Sequence, residues 1–250
     1  MAQLSMVVNS KSLGFHTHLN VIIPEHENKI SRVLYLLHGL GDDCTVWSRM
    51  TRIYHYAMQH GYAVIMPEVQ RSFYSDMAFG SQYLTYMIHE LPNLCEKIFN
   101  IKHKQENTYI AGLSMGGYGA VKCGLTRPDF YAGIASLSGA MDMKERTNAT
   151  KDEVPPPFPE MRAILGDIDV YPDKEDLFFL ANNAVNLSYK PKMLITCGDA
   201  DFLLDDNRRF DAHLQTLDYG HTYMEWAGTH NWDFWEECLP IVFDFFGKNI

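Results

Sequence analysis

The residues from Tyr109 to Gly119 read YIAGLSMGGYG, and the fold of the chain can be predicted outward from them. An apolar run ends at Gly112, one serine follows at Ser114, and small residues return from Gly116 onward. Glycine is required two positions before and after a serine where a strand turns sharply into a helix, because larger side chains would collide with neighbouring backbone. The pattern therefore predicts a strand, a tight turn that exposes the Ser114 hydroxyl, and a helix.

The residues on either side of this turn alternate between apolar runs and helical patterns. Short runs that are apolar throughout are typical of strands buried on both faces of a parallel sheet. Strands are predicted at 32–37, 63–66, 108–111, 133–137, 192–197 and, with a more amphipathic pattern, 222–226. Helices are predicted at 46–60, 83–99 with a bend at Pro92, 116–126, 206–217 and 232–246. This alternation predicts a mostly parallel, doubly wound α/β sheet.

Two segments depart from the alternation. Runs at 4–8 and 18–23 predict an N-terminal hairpin, which would add antiparallel strands to the edge of the sheet. The segment 141–189 is much longer than one crossover helix, and it contains three prolines at 155–157 and a helical pattern at 175–183. Insertions of this length often cover an active site, and a surface excursion is the alternative. With no evident linker, we expect one domain over 1–250, with 141–189 as a partial cap.

The composition argues against several classes of protein and partner. The net charge of −10, with no basic stripe, argues against nucleic acid as a partner. No apolar stretch reaches the length of a membrane span, and the first residues lack the pattern of a secretory signal. The five cysteines form no CxxC pair, so we interpret them as buried thiols rather than as disulfides or zinc ligands. These features are typical of a cytoplasmic protein without a metal site.

A second glycine-rich stretch, LLHGLGD at 36–42, ends the strand predicted at 32–37. When a serine attacks an acyl carbonyl, backbone N–H groups stabilise the resulting oxyanion. One belongs to the residue after the serine and the other to a loop after an earlier strand, which predicts Met115 and Leu40. Gly39 and Gly41 would let that loop approach a substrate carbonyl closely. We interpret His38 as a structural hydrogen-bonding residue.

A serine nucleophile also needs a histidine base. Three histidines follow Ser114 at suitable distances along the chain, namely His213, His221 and His230. His213 falls within a predicted helix, and His221 opens a strand. His230 lies in AGTHNW at 227–232, directly after the last strand, where open α/β sheets place their sites. We therefore predict His230 as the base.

The base in turn needs a carboxylate that orients it, and in this architecture the acid comes between serine and histidine in the chain. The stretch CGDADFL at 197–203 offers Asp199 and Asp201. We predict Asp201 as the acid, because a tight turn at 198–199 would direct the later residue toward the sheet edge. Asp199 would then cap the turn, and Asp205 and Asp206 are predicted to cap the next helix.

Large apolar side chains lie in or near the loops of this predicted active face. As a group they favour an apolar pocket for a short acyl or aryl moiety, with core packing as the alternative for each of them. They are Trp47, Phe73, Tyr74, Met115, Phe202 and Trp232. Three arginines near the same face, Arg49, Arg52 and Arg71, could form a cationic rim for an anionic thioester substrate.

The segments LLHGLGDD, YIAGLSMGGYGA, CGDADFL and AGTHNWDFWEE, together with FYSDM at 73–77, resemble the esterase D family of α/β-hydrolases, and most closely its bacterial tributyrin-esterase-like branch. The resemblance implies the α/β-hydrolase fold, a Ser114–Asp201–His230 triad, an oxyanion hole at Leu40 and Met115, and no cofactor or metal. Members act on short-chain acyl esters, S-formylglutathione, or aryl and cinnamoyl esters, and some distant relatives are mycolyl transferases. Members are often oligomeric.

We therefore expect a serine carboxylesterase that hydrolyses short-chain acyl, aryl or cinnamoyl esters through an acyl-enzyme. An S-formylglutathione hydrolase is the main alternative. An acyltransferase and a non-catalytic binding protein with the same fold are further alternatives. The expected partner is a small-molecule ester, with no nucleic acid and no membrane, and a homo-oligomer is possible.

Overall fold

A twisted sheet of eight strands runs through the computed structural model, which describes residues 2–24, 30, 32–150, 160–167 and 170–247. The strand order is β1-β2-β4-β3-β5-β6-β7-β8. The strands are β1 Ala2–Ser10, β2 Phe15–Ile23, β3 Arg32–Leu37, β4 Tyr62–Pro67, β5 Thr108–Leu113, β6 Gly133–Leu137, β7 Lys192–Gly198 and β8 Thr222–Trp226. The predicted doubly wound sheet is thereby confirmed.

The pairing of the strands follows from their sequences. β1 and β2 form the predicted antiparallel hairpin, and β2 joins the sheet by antiparallel pairing with β4. All further pairs are parallel, and the near-continuous apolar runs of β4, β5 and β6 are buried along their whole length. Because β5 lies between β3 and β6, the turn that follows it opens at the middle of the sheet's carboxyl edge.

Helices cover both faces of the sheet. α1, α2 and α10 pack on one face, and the others on the second face or in the insertion between β6 and β7. The helices are α1 Val46–Met50, α2 Ile53–His60, α3 Tyr83–Thr85, α4 Leu91–Phe99, α5 Met115–Thr126, α6 Met143–Thr150, α7 Glu160–Leu165, α8 Leu177–Ala184, α9 Leu204–Thr216 and α10 Trp232–Gly247. A π-helical turn, Tyr86–Glu90, joins α3 to α4, and short 3-10 turns lie at Gln105–Asn107 and Asp173–Glu175.

Two predicted helices differ from the structure in their interiors. The helix predicted at 46–60 is interrupted at Thr51, whose hydroxyl bonds the carbonyl of Trp47 and receives the N–H of Ile53 in place of helical pairing. The helix predicted at 83–99 contains the π-helical turn just before Pro92. Proline has no N–H for the carbonyl of Ile88 four residues earlier, and that carbonyl accepts a hydrogen bond from Arg127 instead.

The predicted caps of the helix after β7 are wrong. The helix begins at Leu204, so Asp205 and Asp206 lie in its first turn rather than before it. The N–H of Leu203 instead donates to the carboxylate of Asp201, 2.8 Å away. Asp206 is buried and forms ion pairs with Arg146 and Arg209.

The remaining sequence predictions about the chain concern its cysteines, its insertion and membrane spans. All five cysteines are free and buried, which confirms their interpretation as thiols within the core. The insertion carries α6, α7 and α8, while the three prolines at 155–157 lie outside the described residues. None of the helices in the described part of the chain is long and apolar enough to cross a membrane.

Candidate active site

Ser114 occupies the turn between β5 and α5. Its backbone has φ 52° and ψ −117°, a strained conformation for a residue with a side chain. A Cβ atom on Gly112 would lie 2.3 Å from the carbonyl oxygen of Gly116, and one on Gly116 would lie 2.5 Å from that of Leu37. Both positions therefore exclude every larger residue, which is the reason for the glycine spacing in the sequence.

The strained turn is held in place by β6 and the segment after it. The N–H of Ser114 donates to the carbonyl of Leu137, 2.9 Å away. The carbonyl of Ser114 accepts hydrogen bonds from the N–H groups of Ala140, at 3.2 Å, and Tyr118, at 3.1 Å. With its backbone groups paired in this way, the turn leaves the Ser114 hydroxyl at the carboxyl edge of the sheet.

Ser114, His230 and Asp201 form a continuous hydrogen-bonded chain. Nε2 of His230 lies 3.0 Å from Oγ of Ser114. Nδ1 of His230 lies 2.9 Å from Oδ2 and 3.0 Å from Oδ1 of Asp201. This is the arrangement in which a carboxylate orients an imidazole that removes the proton of a serine hydroxyl.

Asp201 and Asp199 have different surroundings. Asp201 is buried, which alone would raise the pKa of its carboxyl, but hydrogen bonds from His230 and the Leu203 N–H outweigh burial and hold that pKa below its usual value. Asp199 is exposed, and its carboxylate accepts the N–H of Gly228 in the neighbouring loop. Asp201 is thus the carboxylate that meets the histidine, and Asp199 tethers the turn.

The other candidate histidines have partners away from Ser114. In His38, Nδ1 lies 2.9 Å from the Gly39 carbonyl and Nε2 accepts the N–H of Val69, so this ring links two loops. His213 contacts the carbonyl of Phe178, and His221 contacts Asp211 at 2.6 Å.

Leu40 and Met115 line the same cavity as Ser114 and His230. Met115 is the first residue of α5, where backbone N–H groups have no partner within the helix and carry partial positive charge. A Cβ on Gly39 would lie 2.6 Å from the Leu113 side chain and 3.6 Å from Cβ of Ser114, so this loop packs closely against the turn. The two backbone segments predicted to stabilise an oxyanion are therefore adjacent to the serine.

The cavity beside Ser114 has a volume of about 250 Å³. Most of its lining is apolar. The lining residues are Leu40, Phe73, Ser114, Met115, Ala140, Met143, Arg146, Phe202, Leu203 and His230. Phe202 is 65% exposed, and its ring centroid lies 4.5 Å from that of His230, so it forms an aromatic wall beside the predicted base.

Five residues predicted to bind substrate lie outside this lining, namely Gly39, Gly41 and the aromatic residues Trp47, Tyr74 and Trp232. Trp47 is fully buried, donates to the carbonyl of Leu37 and packs edge-on against Trp232. Tyr74 is also fully buried and donates to the carbonyl of His38. These aromatic side chains support the loops behind the cavity because each is packed against other core or loop groups.

The cations near the site also differ from the prediction. Arg49 pairs with Asp43, Arg52 with Glu236 and Arg71 with Glu160. Arg146 was not predicted as a site residue, but it lines the cavity from α6 and pairs with Asp206.

Met143 and Ala140 were missed as well. Nothing in their local pattern marks them, because they belong to a segment whose path over the sheet is set by tertiary packing.

Comparison with known proteins places the chain in a family. The Esterase family model matches residues 10–244. An acetyl esterase of Caldicellulosiruptor saccharolyticus is 29% identical over 99% of both chains. Among solved structures, the fluorophosphonate-binding serine hydrolase FphF of Staphylococcus aureus is 32% identical over 99% of both chains, with a TM-score of 0.90. An S-formylglutathione hydrolase of Staphylococcus aureus is 33% identical over 98% of both, with a TM-score of 0.85. The chain belongs to the esterase family and is a serine hydrolase with the α/β-hydrolase fold.

Proposed function

We propose that this protein is a serine carboxylesterase that hydrolyses short-chain acyl esters through an acyl-enzyme on Ser114. The observation that carries the proposal is the hydrogen-bonded chain from Ser114 through His230 to Asp201, open to a small apolar cavity. The acetyl esterase that matches along 99% of this chain supports a short acyl group.

In the first half of the reaction, Nε2 of His230 removes the proton from Oγ of Ser114 as that oxygen attacks the ester carbonyl. Asp201 accepts the Nδ1–H of His230 and stabilises the imidazolium that forms. The carbonyl oxygen becomes an oxyanion that the backbone N–H groups of Leu40 and Met115 stabilise. The ester C–O bond then breaks, and the imidazolium donates its proton to the departing alcohol.

In the second half, water replaces the alcohol beside His230. The imidazole removes a proton from that water as it attacks the acyl-enzyme, and a second oxyanion forms in the same place. Collapse breaks the bond to Oγ, returns the proton from His230 to Ser114 and releases the carboxylic acid.

The size of the cavity supports short acyl chains. Its volume of about 250 Å³ falls just below the range of roughly 300–1,000 Å³ common for pockets that hold drug-sized ligands. Phe73, Met115 and Met143 are buried apolar side chains in its lining. Long acyl chains would have to displace them or run out past the exposed Phe202.

S-formylglutathione hydrolysis is the second candidate. The 33% identical S-formylglutathione hydrolase of Staphylococcus aureus supports it. A formyl group would fit a small cavity, but the anionic tripeptide would need cations. In the described lining, Arg146 already pairs with Asp206, so the short-chain ester is the better-supported substrate.

We further propose the finer assignments that the motifs favour. The segments quoted above support membership of the esterase D family and of its tributyrin-esterase-like branch. We propose a single domain over residues 1–250, with 141–189 as a partial cap. Five free, buried thiols support a cytoplasmic location. The same acyl-enzyme could also transfer its acyl group to an alcohol. Aryl or cinnamoyl esters would place their rings against Phe202. Assembly into homo-oligomers is part of the same proposal.

Hydrolysis of nitrophenyl esters from acetate to octanoate by wild type and by Ser114→Ala tests the proposal. We expect kcat/KM to be highest for the shortest chains, and the variant to lose at least about 10⁴-fold in kcat. S-formylglutathione and methyl ferulate belong in the same assay. Turnover of S-formylglutathione far above that of acetate would favour the second candidate, and equal rates for wild type and variant would contradict both.

A further inference from the structure

A buried ionic cluster lies behind the cavity and takes no part in the mechanism above. It consists of Lys122 on α5, Glu175 in the 3-10 turn of the insertion, and Ser75 in the loop after β4. The Lys122 and Glu175 side chains are 0% and 3% exposed and form a close ion pair. Nζ of Lys122 also donates to Oγ of Ser75 at 2.6 Å, and that hydroxyl lies 2.7 Å from Oε2 of Glu175. Three segments distant in the chain therefore meet at one buried charge pair.

Stability alone does not explain such a cluster. Desolvation of two buried charges costs about as much free energy as their attraction returns, and well-packed apolar replacements are often neutral or stabilising. In keeping with this cost, burial lowers the pKa of Lys122 below its usual value, although the Glu175 carboxylate opposes the shift. The cluster therefore has a role other than stability, and that role lies in the loop and helix segments that its hydrogen bonds hold in place.

The loop held by Ser75 is strained and reaches the cavity. Phe73 and Tyr74 precede Ser75, and both have left-handed backbones, with φ of 48° and 53°. Two such residues in succession cost free energy that surrounding contacts must offset. Phe73 lines the cavity beside Ser114.

Tyr74 connects the same loop to the predicted oxyanion loop. Its hydroxyl donates to the carbonyl of His38 at 2.9 Å, two residues before Leu40. The Tyr74 ring occupies the space that a Cβ on Gly119 would need, so this ring also packs directly against α5.

The cluster also reaches the nucleophile helix directly. Tyr118 lies one helical turn after Ser114, and its hydroxyl donates to the carbonyl of Glu175 at 2.6 Å. The Tyr118 ring packs edge-on against Phe73, with centroids 5.9 Å apart. The insertion, the nucleophile helix and the cavity wall are thus joined through one set of contacts.

We infer that Lys122, Glu175 and Ser75 are positioning residues, through which the insertion sets the placement of Phe73 and the oxyanion loop and thereby governs turnover and acyl-chain selectivity. The inference rests on the proposed esterase function. Displacements of about 1 Å in such supporting groups can cost up to about a hundredfold in rate.

Two variants test the inference, each by kcat, KM and melting temperature on nitrophenyl acetate and octanoate. Ser75→Ala removes the hydroxyl that joins the ion pair to the loop. Lys122→Met combined with Glu175→Gln removes both charges at nearly constant volume. Tyr219→Phe is the matched control, because it removes another fully buried hydroxyl, which donates to the carbonyl of Pro191 at 3.1 Å.

We expect both test variants to lose about tenfold or more in kcat on acetate and to change the acetate-to-octanoate ratio of kcat/KM, while the double variant melts near wild type. The control should keep both kinetic quantities. Kinetics equal to the control in folded variants would overturn the inference. Failure of both variants to fold would overturn it too, since the cluster would then hold the fold rather than the site. Inactive wild type would instead contradict the proposed function.

Discussion

At the scale of single residues, the chemistry of the site depends on which aspartate meets His230. The sequence offered two, Asp199 and Asp201, and in the structure Asp201 is the one that bonds Nδ1 of His230. The two glycines around Ser114 were equally predictable, because each sits where a Cβ would collide with backbone. Residue patterns can predict such positions when a local backbone conformation permits few side chains.

The choice of acid leads to a direct prediction. Replacing Asp201 by Asn should lower kcat by about 10⁴-fold with little change in fold, because the amide favours the wrong histidine tautomer and cannot balance the imidazolium. Asp199→Asn is the matched control, since its amide oxygen can still accept the Gly228 N–H. Steady-state kinetics of both variants on nitrophenyl acetate distinguish the roles. A comparable loss in Asp199→Asn, with Asp201→Asn active, would reverse the assignment.

At the scale of elements, sequence patterns predicted the strands better than the interiors of helices. Apolar runs marked the buried strands, and β3, β6 and β8 have the predicted bounds. The interruption at Thr51 and the π-helical turn before Pro92 depend on hydrogen bonds from side chains, one of them from distant Arg127. Helical periodicity shows which face of a helix is apolar. It does not show where a side chain replaces the usual backbone hydrogen-bond partner.

The π-helical turn ends at Glu90, which anchors the N-terminal hairpin. Its carboxylate accepts the N–H groups of Lys11 and Ser12 and the hydroxyl of Ser10, at 2.7 to 2.8 Å. Burial acts to raise the pKa of Glu90, but these hydrogen bonds, with those of Ser12 foremost, lower it below the usual value. A carboxyl whose pKa is lower in the folded state stabilises the fold above its unfolded pKa, and that contribution is lost as pH falls through the folded pKa.

We therefore expect Glu90→Gln to reduce the free energy of unfolding by about 1–2 kcal/mol at pH 7. The difference from wild type should begin to shrink as the pH falls below the ordinary glutamate pKa of about 4.3, and it should disappear once the pH has fallen through the lower pKa of Glu90 in the folded state. Urea unfolding at a series of pH values measures it, with Glu106→Gln as the exposed control. A difference that is absent at pH 7, or that grows on acidification, would refute this account of the hairpin.

At the scale of the whole molecule, the fold was predictable because short buried strands alternate with helices around one strained turn. The site was predictable only where it depends on motifs at strand ends. The contribution of the insertion to the site was not predictable, since Met143 and Arg146 reach the cavity by tertiary packing that no local pattern encodes. The segment left open as cover or excursion therefore contributes to the wall of the cavity. Trp47, Tyr74 and Trp232 were predicted to bind substrate but lie outside the cavity lining, because a large aromatic residue near the active face can also pack inward.

The central claim is that Ser114 is the nucleophile of the esterase reaction. The most direct test is intact-mass spectrometry after treatment with a fluorophosphonate, followed by peptide mapping and assay of residual esterase activity. We predict one adduct per chain, located on Ser114, with activity lost in proportion to labelling and no adduct in Ser114→Ala. Labelling at another residue with matching loss of activity, or full activity in a fully labelled Ser114 sample, would contradict the claim.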